Sequence, residues 1–146
     1  MTGLRVGNLV APPQVIRAAE HLNGFMMYTA PSISQRSAIY ALRDAEHITP
    51  PVAAEFGRRL AYAAGRIDAI PGMSVHKPQG SIYLFPSIRE SGLTSYDACR
   101  LLLEKAHVLT MPGSEFGTCG EGFLRIACTK GIPLLQQAFD RIEQVF

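Results

Sequence analysis

Apolar positions along this chain shift from one period to another, and the shifts mark its elements. Leu4-Arg5-Val6-Gly7-Asn8-Leu9-Val10 has the composition of a strand, which Pro12-Pro13 stops. Val15, Ile16, Ala19 and Leu22 then recur at helical spacing, with Pro13 suited to the first helical position and Asn23-Gly24 as the stop signal. Ser32 followed by Gln35 fits a capping box for a second helix whose apolar side carries Ile39 and Leu42. Thr49 caps a restart at Pro50-Pro51. From there Val52, Phe56, Leu60, Ala63 and Ile67 follow one another by three or four residues, a stripe that runs up to Pro71-Gly72 and predicts the longest helix, the connector between two domains.

Beyond that helix the period shortens. Met73–His76 and Ser81–Phe85 read as strands around the turn Lys77-Pro78-Gln79-Gly80, which predicts a hairpin. Thr94, with Asp97 three residues on, opens a helix to Ala106 that turns Ala98, Leu101 and Leu102 inward. His107–Met111 reads as a strand, Pro112–Gly122 as a glycine-rich loop and Phe123–Cys128 as the last strand. Gly131-Ile132-Pro133 starts a final helix with Leu134, Leu135, Ala138, Phe139, Ile142 and Phe146 along one side. From about residue 50 onward the order helix, strand, strand, helix, strand, strand, helix predicts an α+β layer, a small sheet covered by helices on one face. Residues 1–49 hold one strand and no partner for it, so they are expected to belong to a larger sheet formed with other residues. The abrupt opening likewise suggests the continuation of a longer polypeptide.

Composition narrows the class. The 146 residues suit one domain, or one domain and part of another, and 47% hydrophobic with 18% charged residues makes the chain globular. The net charge of +2 and the absence of any basic run give no reason to expect a nucleic-acid partner, and no stretch approaches a membrane span, so a cytoplasmic protein is the expectation. Cys99, Cys119 and Cys128 form no CxxC pair and are expected to be reduced, and His21, His47, His76 and His107 lack metal-ligand spacing.

Two arginines stand where a cation needs a reason. Arg125 sits in the apolar strand Phe123-Leu124-Arg125-Ile126-Ala127, sharing a face with Phe123 and Ala127 while Leu124 and Ile126 point the other way. Its guanidinium either pairs with an internal carboxylate, reaches out to solvent, or receives a bound anion, for which its fork gives two parallel hydrogen bonds that lysine cannot reproduce. Arg5 lies between Gly3 and Gly7 at the head of the first strand, where backbone freedom can bring a cation up to a phosphate; a solvated terminal arginine is the ordinary alternative. Gly120-Glu121-Gly122 lacks the third glycine of a dinucleotide fingerprint, and no serine stands in a nucleophile elbow.

Met1-Thr-Gly-Leu-Arg-Val-Gly-Asn-Leu-Val-Ala-Pro-Pro, Gly80-Ser-Ile-Tyr-Leu-Phe-Pro, and Pro112-Gly-Ser-Glu-Phe-Gly with Gly122-Phe-Leu-Arg-Ile-Ala together resemble the C-terminal part of the class I/II aminotransferases, aspartate-aminotransferase-like enzymes of fold type I that use pyridoxal 5'-phosphate. The resemblance runs over essentially the whole chain in the family's order. It implies an α/β fold of that type, with residues 1–49 a remnant of the large cofactor domain and residues 50–146 the small domain. It makes Arg5 the contact to the cofactor phosphate and Arg125 the grip on the substrate α-carboxylate, and it leaves Tyr83 a structural role in the small-domain sheet. Substrates would be an α-amino acid and a 2-oxo acid, and the assembly a homodimer.

The same resemblance places the lysine that forms the Schiff base a few residues before the segment like Met1-Thr-Gly, together with the aspartate and the aromatic that hold the cofactor ring. Lys77, Lys105 and Lys130 stand in no corresponding motif. This chain alone is therefore expected to be inactive, with no catalytic residue of its own. Two alternatives stay open: another fold type I reaction, a lyase or decarboxylase on amino acids, which both arginines would serve equally, and a non-catalytic fragment that acts as a folding or dimerisation module.

Overall fold

A computed structural model describes all residues 1–146, which fall into two compact units, Met1–Pro50 and Pro51–Phe146. No helix is long and apolar enough to cross a membrane.

The first unit holds a short 3-10 turn, Thr2–Leu4, then helices α1 (Pro13–Met26) and α2 (Ser32–Arg43), and the start of α3 (Ala45–Asp68). The strand expected over Leu4–Val10 is absent. Nothing in this unit offers it a ladder, so its backbone stays irregular, and Arg5 adopts a left-handed conformation, φ 50°, as the cap of the 3-10 turn. α1 passes through the expected stop at Asn23-Gly24 and ends at Met26, where the Asn23 carbonyl accepts from the amides of Met27 (2.9 Å) and Tyr28 (2.8 Å). The capping box at Ser32 does not form: the helix is entered through Pro31, and Gln35 Nε2 reaches back to the Ala30 carbonyl at 2.7 Å. α3 starts ahead of Thr49, because the Asp44 carbonyl accepts from the His47 and Ile48 amides, both at 3.1 Å, and so closes a first turn. Pro50 and Pro51 then lie in its second turn, which costs the bonds that the carbonyls of Glu46 and His47 would have accepted. In this unit the only buried side chain is Ser34.

The second unit contains the whole apolar core. Its strands β1 (Tyr83–Leu84), β2 (Met111–Pro112) and β3 (Leu124–Ala127) form an antiparallel sheet in the order β1-β3-β2, with Tyr83 opposite Ala127 and Met111 opposite Arg125. Leu84, Leu124 and Ile126 of the sheet pack with Leu60, Ala63 and Ile67 of α3, with Ala98 of α4 (Ser95–Leu101), and with Leu135, Phe139 and Ile142 of α5 (Ile132–Ile142). The α3 stripe is thus buried only in its second half; Val52 is exposed and Phe56 half-buried. Arg66 ties α3 to α5 by ion pairs at 2.7 Å to both Asp140 and Glu143, which hold its guanidinium above the usual arginine pKa against the opposing effect of burial.

Two expected strands are shorter than the pattern implied. The hairpin around Lys77–Gly80 reduces to one bridge, Ser74 with Ser87, since β1 takes its ladder from β3 instead. The run from His107 yields a strand only at Met111–Pro112, because α4 continues as a π-helical turn to Ala106 and His107, at φ 54°, closes it. The cap at Thr94 forms as expected, its Oγ1 accepting from the Asp97 amide at 3.1 Å and donating to the Asp97 carboxylate at 2.8 Å.

Candidate functional site

Strand β3 presents its two faces unequally. Leu124 and Ile126 are buried in the core, and Arg125 projects from the opposite face into an aromatic frame. Its guanidinium carbon lies 4.6 Å from the centroid of the Tyr83 ring and 4.9 Å from that of Phe116. Two cation–π contacts take the place that a carboxylate would hold in an internal ion pair. None of the ion pairs in the structure involves Arg125, and its Nε is buried without a hydrogen-bond partner. Of the three fates open to this arginine, internal pairing is excluded, and the group is held with its hydrogen-bonding capacity unspent.

The frame continues along the sheet. Phe116 meets Phe85 edge to face, with centroids 5.9 Å apart, and Phe85 stacks on Phe123 at 5.3 Å. Arg89 covers the far side of this row, 4.7 Å from the Phe123 centroid.

Phe116 comes from the loop between β2 and β3, and that loop is built on close backbone approach. A Cβ on Gly113 would collide with the Gly120 carbonyl, and one on Gly120 with the Gly113 carbonyl, so only glycine pairs here. Gly122 is left-handed, φ 79°, and lies against the Arg89 side chain. The loop is latched to the first turn of α4 in both directions. The Ser95 amide donates to Glu121 Oε1 at 2.8 Å, and Ser95 Oγ, fully buried, accepts from the amides of Gly122 (2.9 Å) and Phe123 (3.2 Å). Carboxylate Glu121 thereby satisfies an orphan donor at a helix N-terminus.

Arg5 belongs to the other unit. It is exposed, makes no ion pair, and spends one N–H on the Thr2 carbonyl at 3.3 Å. The peptide before it is fixed, because Ser34 Oγ of α2 donates to the Leu4 carbonyl at 2.7 Å. Such a cation, preceded by an anchored peptide and with its other guanidinium N–H groups free of protein partners, can receive a phosphate. No group of histidine, cysteine and carboxylate side chains is placed to hold a metal ion. Lys77, Lys105 and Lys130 all lie exposed in the second unit.

Pattern reading missed Phe116 as a contributor and gave Tyr83 only a structural part. Both are aromatic residues in runs that any small sheet could contain, and their common partner is distant in sequence. The one available signal was the lone cation of β3, which has no carboxylate neighbour in its own strand.

Comparison with known proteins establishes the family of the chain. The sequence profile of "Aminotransferase class I and II" matches residues 1–142. The chain is 36% identical to an aspartate aminotransferase of Pyrococcus horikoshii, over 99% of this chain and 37% of that one. It is also 36% identical to aromatic-amino-acid aminotransferase 2 of Thermococcus litoralis, over 99% and 38%. Among solved structures, the aromatic aminotransferase from Pyrococcus horikoshii superimposes with a TM-score of 0.85 at 33% identity, covering 99% of this chain and 39% of that one. The chain spans little more than a third of the length of these relatives, and it belongs to the class I and II aminotransferase family.

Proposed function

We propose that the complete protein transfers an amino group between an α-amino acid and a 2-oxo acid with pyridoxal 5'-phosphate, and that Arg125 grips the α-carboxylate of either substrate. The observation that carries this reading is the guanidinium framed by Tyr83 and Phe116 with no carboxylate partner inside the protein. Both substrates of such a reaction carry a carboxylate beside the reacting carbon, so one bidentate site serves both halves of a ping-pong cycle.

Arg5 takes the cofactor phosphate in this reading, with Ser34 fixing the peptide that precedes it. The cofactor, when bound, supplies the electron sink for the carbanion. These residues bind and orient; none of Lys77, Lys105 and Lys130 is assigned the covalent or proton-carrying role. Residues 1–49 would be the end of the large cofactor domain and 50–146 the small domain. Support for the first assignment comes from α1 and α2, which bury no apolar side chain within their own unit and leave Leu22, Phe25 and Ile39 exposed, as parts of a larger layer would. A cytoplasmic homodimer is part of the same proposal.

The test is Arg125→Lys in the complete enzyme. The KM for α-amino acids should rise about tenfold or more as the bidentate pair is lost, with cofactor affinity unchanged. An unaltered KM would remove Arg125 from substrate binding. Arg5→Gln should do the reverse, weakening cofactor retention and sparing the carboxylate site.

A further inference from the structure

We propose that Phe116 is the positioning residue of the carboxylate grip: its ring, carried by the loop between β2 and β3, fixes the Arg125 guanidinium in the plane that an incoming carboxylate needs. This rests on the assignment of Arg125 to the substrate carboxylate.

A bidentate pair requires the guanidinium plane to be set before the anion arrives; otherwise its ordering opposes binding. Arginines are commonly set by an internal carboxylate, yet such a partner would occupy the edge that the substrate must reach. Here the setting is done by aromatic rings. The guanidinium carbon lies over the rings of Tyr83 and Phe116, 4.6 and 4.9 Å from their centroids, and a cation–π contact constrains a guanidinium without consuming its N–H groups. The two walls differ in how they are held. Tyr83 is part of the sheet, paired with Ala127 of β3. Phe116 is on a loop and has an outside brace, the edge-to-face contact with Phe85. The Gly113 and Gly120 approach and the Ser95–Glu121 latch then fix the loop that carries it. Half of the Phe116 surface remains exposed (52%), more than a residue kept for core packing leaves open.

The experiment compares Phe116→Leu, Phe116→Tyr and Arg125→Lys in the complete holoenzyme, reading KM and kcat for its amino-acid substrate and competitive inhibition by propionate, a carboxylate without an amino group. Phe116→Leu should raise KM and the propionate inhibition constant together by about tenfold, with kcat at saturation within about twofold. Phe116→Tyr, which keeps a ring of the same shape, should restore both. Because Phe116 is half exposed, the leucine variant is expected to melt with the parent, and an unchanged Tm in the holoenzyme checks this. If Phe116→Leu leaves KM and propionate inhibition unchanged while Arg125→Lys impairs them, the positioning role is overturned and the Arg125 assignment stands. If Arg125→Lys also changes neither, both fail together. A fall in kcat at constant KM in Phe116→Leu would equally overturn the positioning role.

Discussion

The guanidinium of Arg125 lies over the ring of Tyr83, 4.6 Å from its centroid, and the contact is set by strand register: Tyr83 is the partner of Ala127, two residues beyond Arg125 on the same face of β3. The phenolic oxygen takes no part, since Tyr83 makes no side-chain hydrogen bond. Tyr83→Phe is therefore expected to leave the chain's stability within about 0.5 kcal/mol of the parent. Tyr83→Leu should lower it by about 0.5–1 kcal/mol through loss of the cation–π contact. Urea denaturation of the two variants separates the ring from the hydroxyl, and equal midpoints for both would mean that the contact contributes nothing.

Ser95 concentrates more in one hydroxyl. It is fully buried and accepts from two loop amides, so Ser95→Ala leaves the N–H groups of Gly122 and Phe123 without their side-chain acceptor. A loss of about 1–3 kcal/mol is expected. The Phe123 amide also donates to the Gly120 carbonyl at 3.2 Å, which limits the damage at that position. Glu121→Gln should cost less, because an amide oxygen can still accept from the Ser95 N–H. Amide hydrogen exchange gives the sharper measurement: Ser95→Ala should speed exchange at Gly122 and Phe123 ahead of the β3 interior. Uniform acceleration over the whole second unit would show that the latch has no local role.

Elements that carry their own punctuation were legible in the sequence. Thr94 with Asp97, the alternation of β3, and the apolar side of α5 except for Leu134, which lies exposed, gave the right answers because cap, pleat and helical face are local properties. The misread places depend on what lies across space. Leu4–Val10 has the residues of a strand and no ladder to join, and the Met73–His76 run lost its expected partner because β3 competes successfully for β1. Half of the α3 stripe misleads for the same reason: Val52 continues the helical period and yet lies exposed beside an open groove of about 800 Å³ that it lines with Phe56, Leu60 and the Lys77–Ile82 segment. At the site, the cation of β3 was readable as an anomaly. Its aromatic walls were not, since Tyr83 and Phe116 are brought to it only by the register of β1 and the closure of the glycine loop.

The three thiols should behave very differently, and the difference extends to pH. Cys119 is exposed on the glycine loop, Cys99 is half-buried beside Thr110, and Cys128 is fully buried. Burial pushes the Cys128 thiol up from 9.0 to about 11, and burial also raises Cys99. An aromatic disulfide reagent at pH 8 should thus label Cys119 quickly in the native chain and the other two only on unfolding. For Cys128 the sign of the pH effect follows from its neutral form being favoured in the fold. Below pH 9 both folded and unfolded chains keep that proton, and its contribution is fully present; between pH 9 and about 11 only the folded chain keeps it, so stability declines with rising pH through that interval. Cys128→Ala removes this contribution and should flatten the decline, at the cost of a small cavity in the core. Urea midpoints measured from pH 8 to 11 check the sign, and parallel curves for the parent and Cys128→Ala would show that another group governs the alkaline limb.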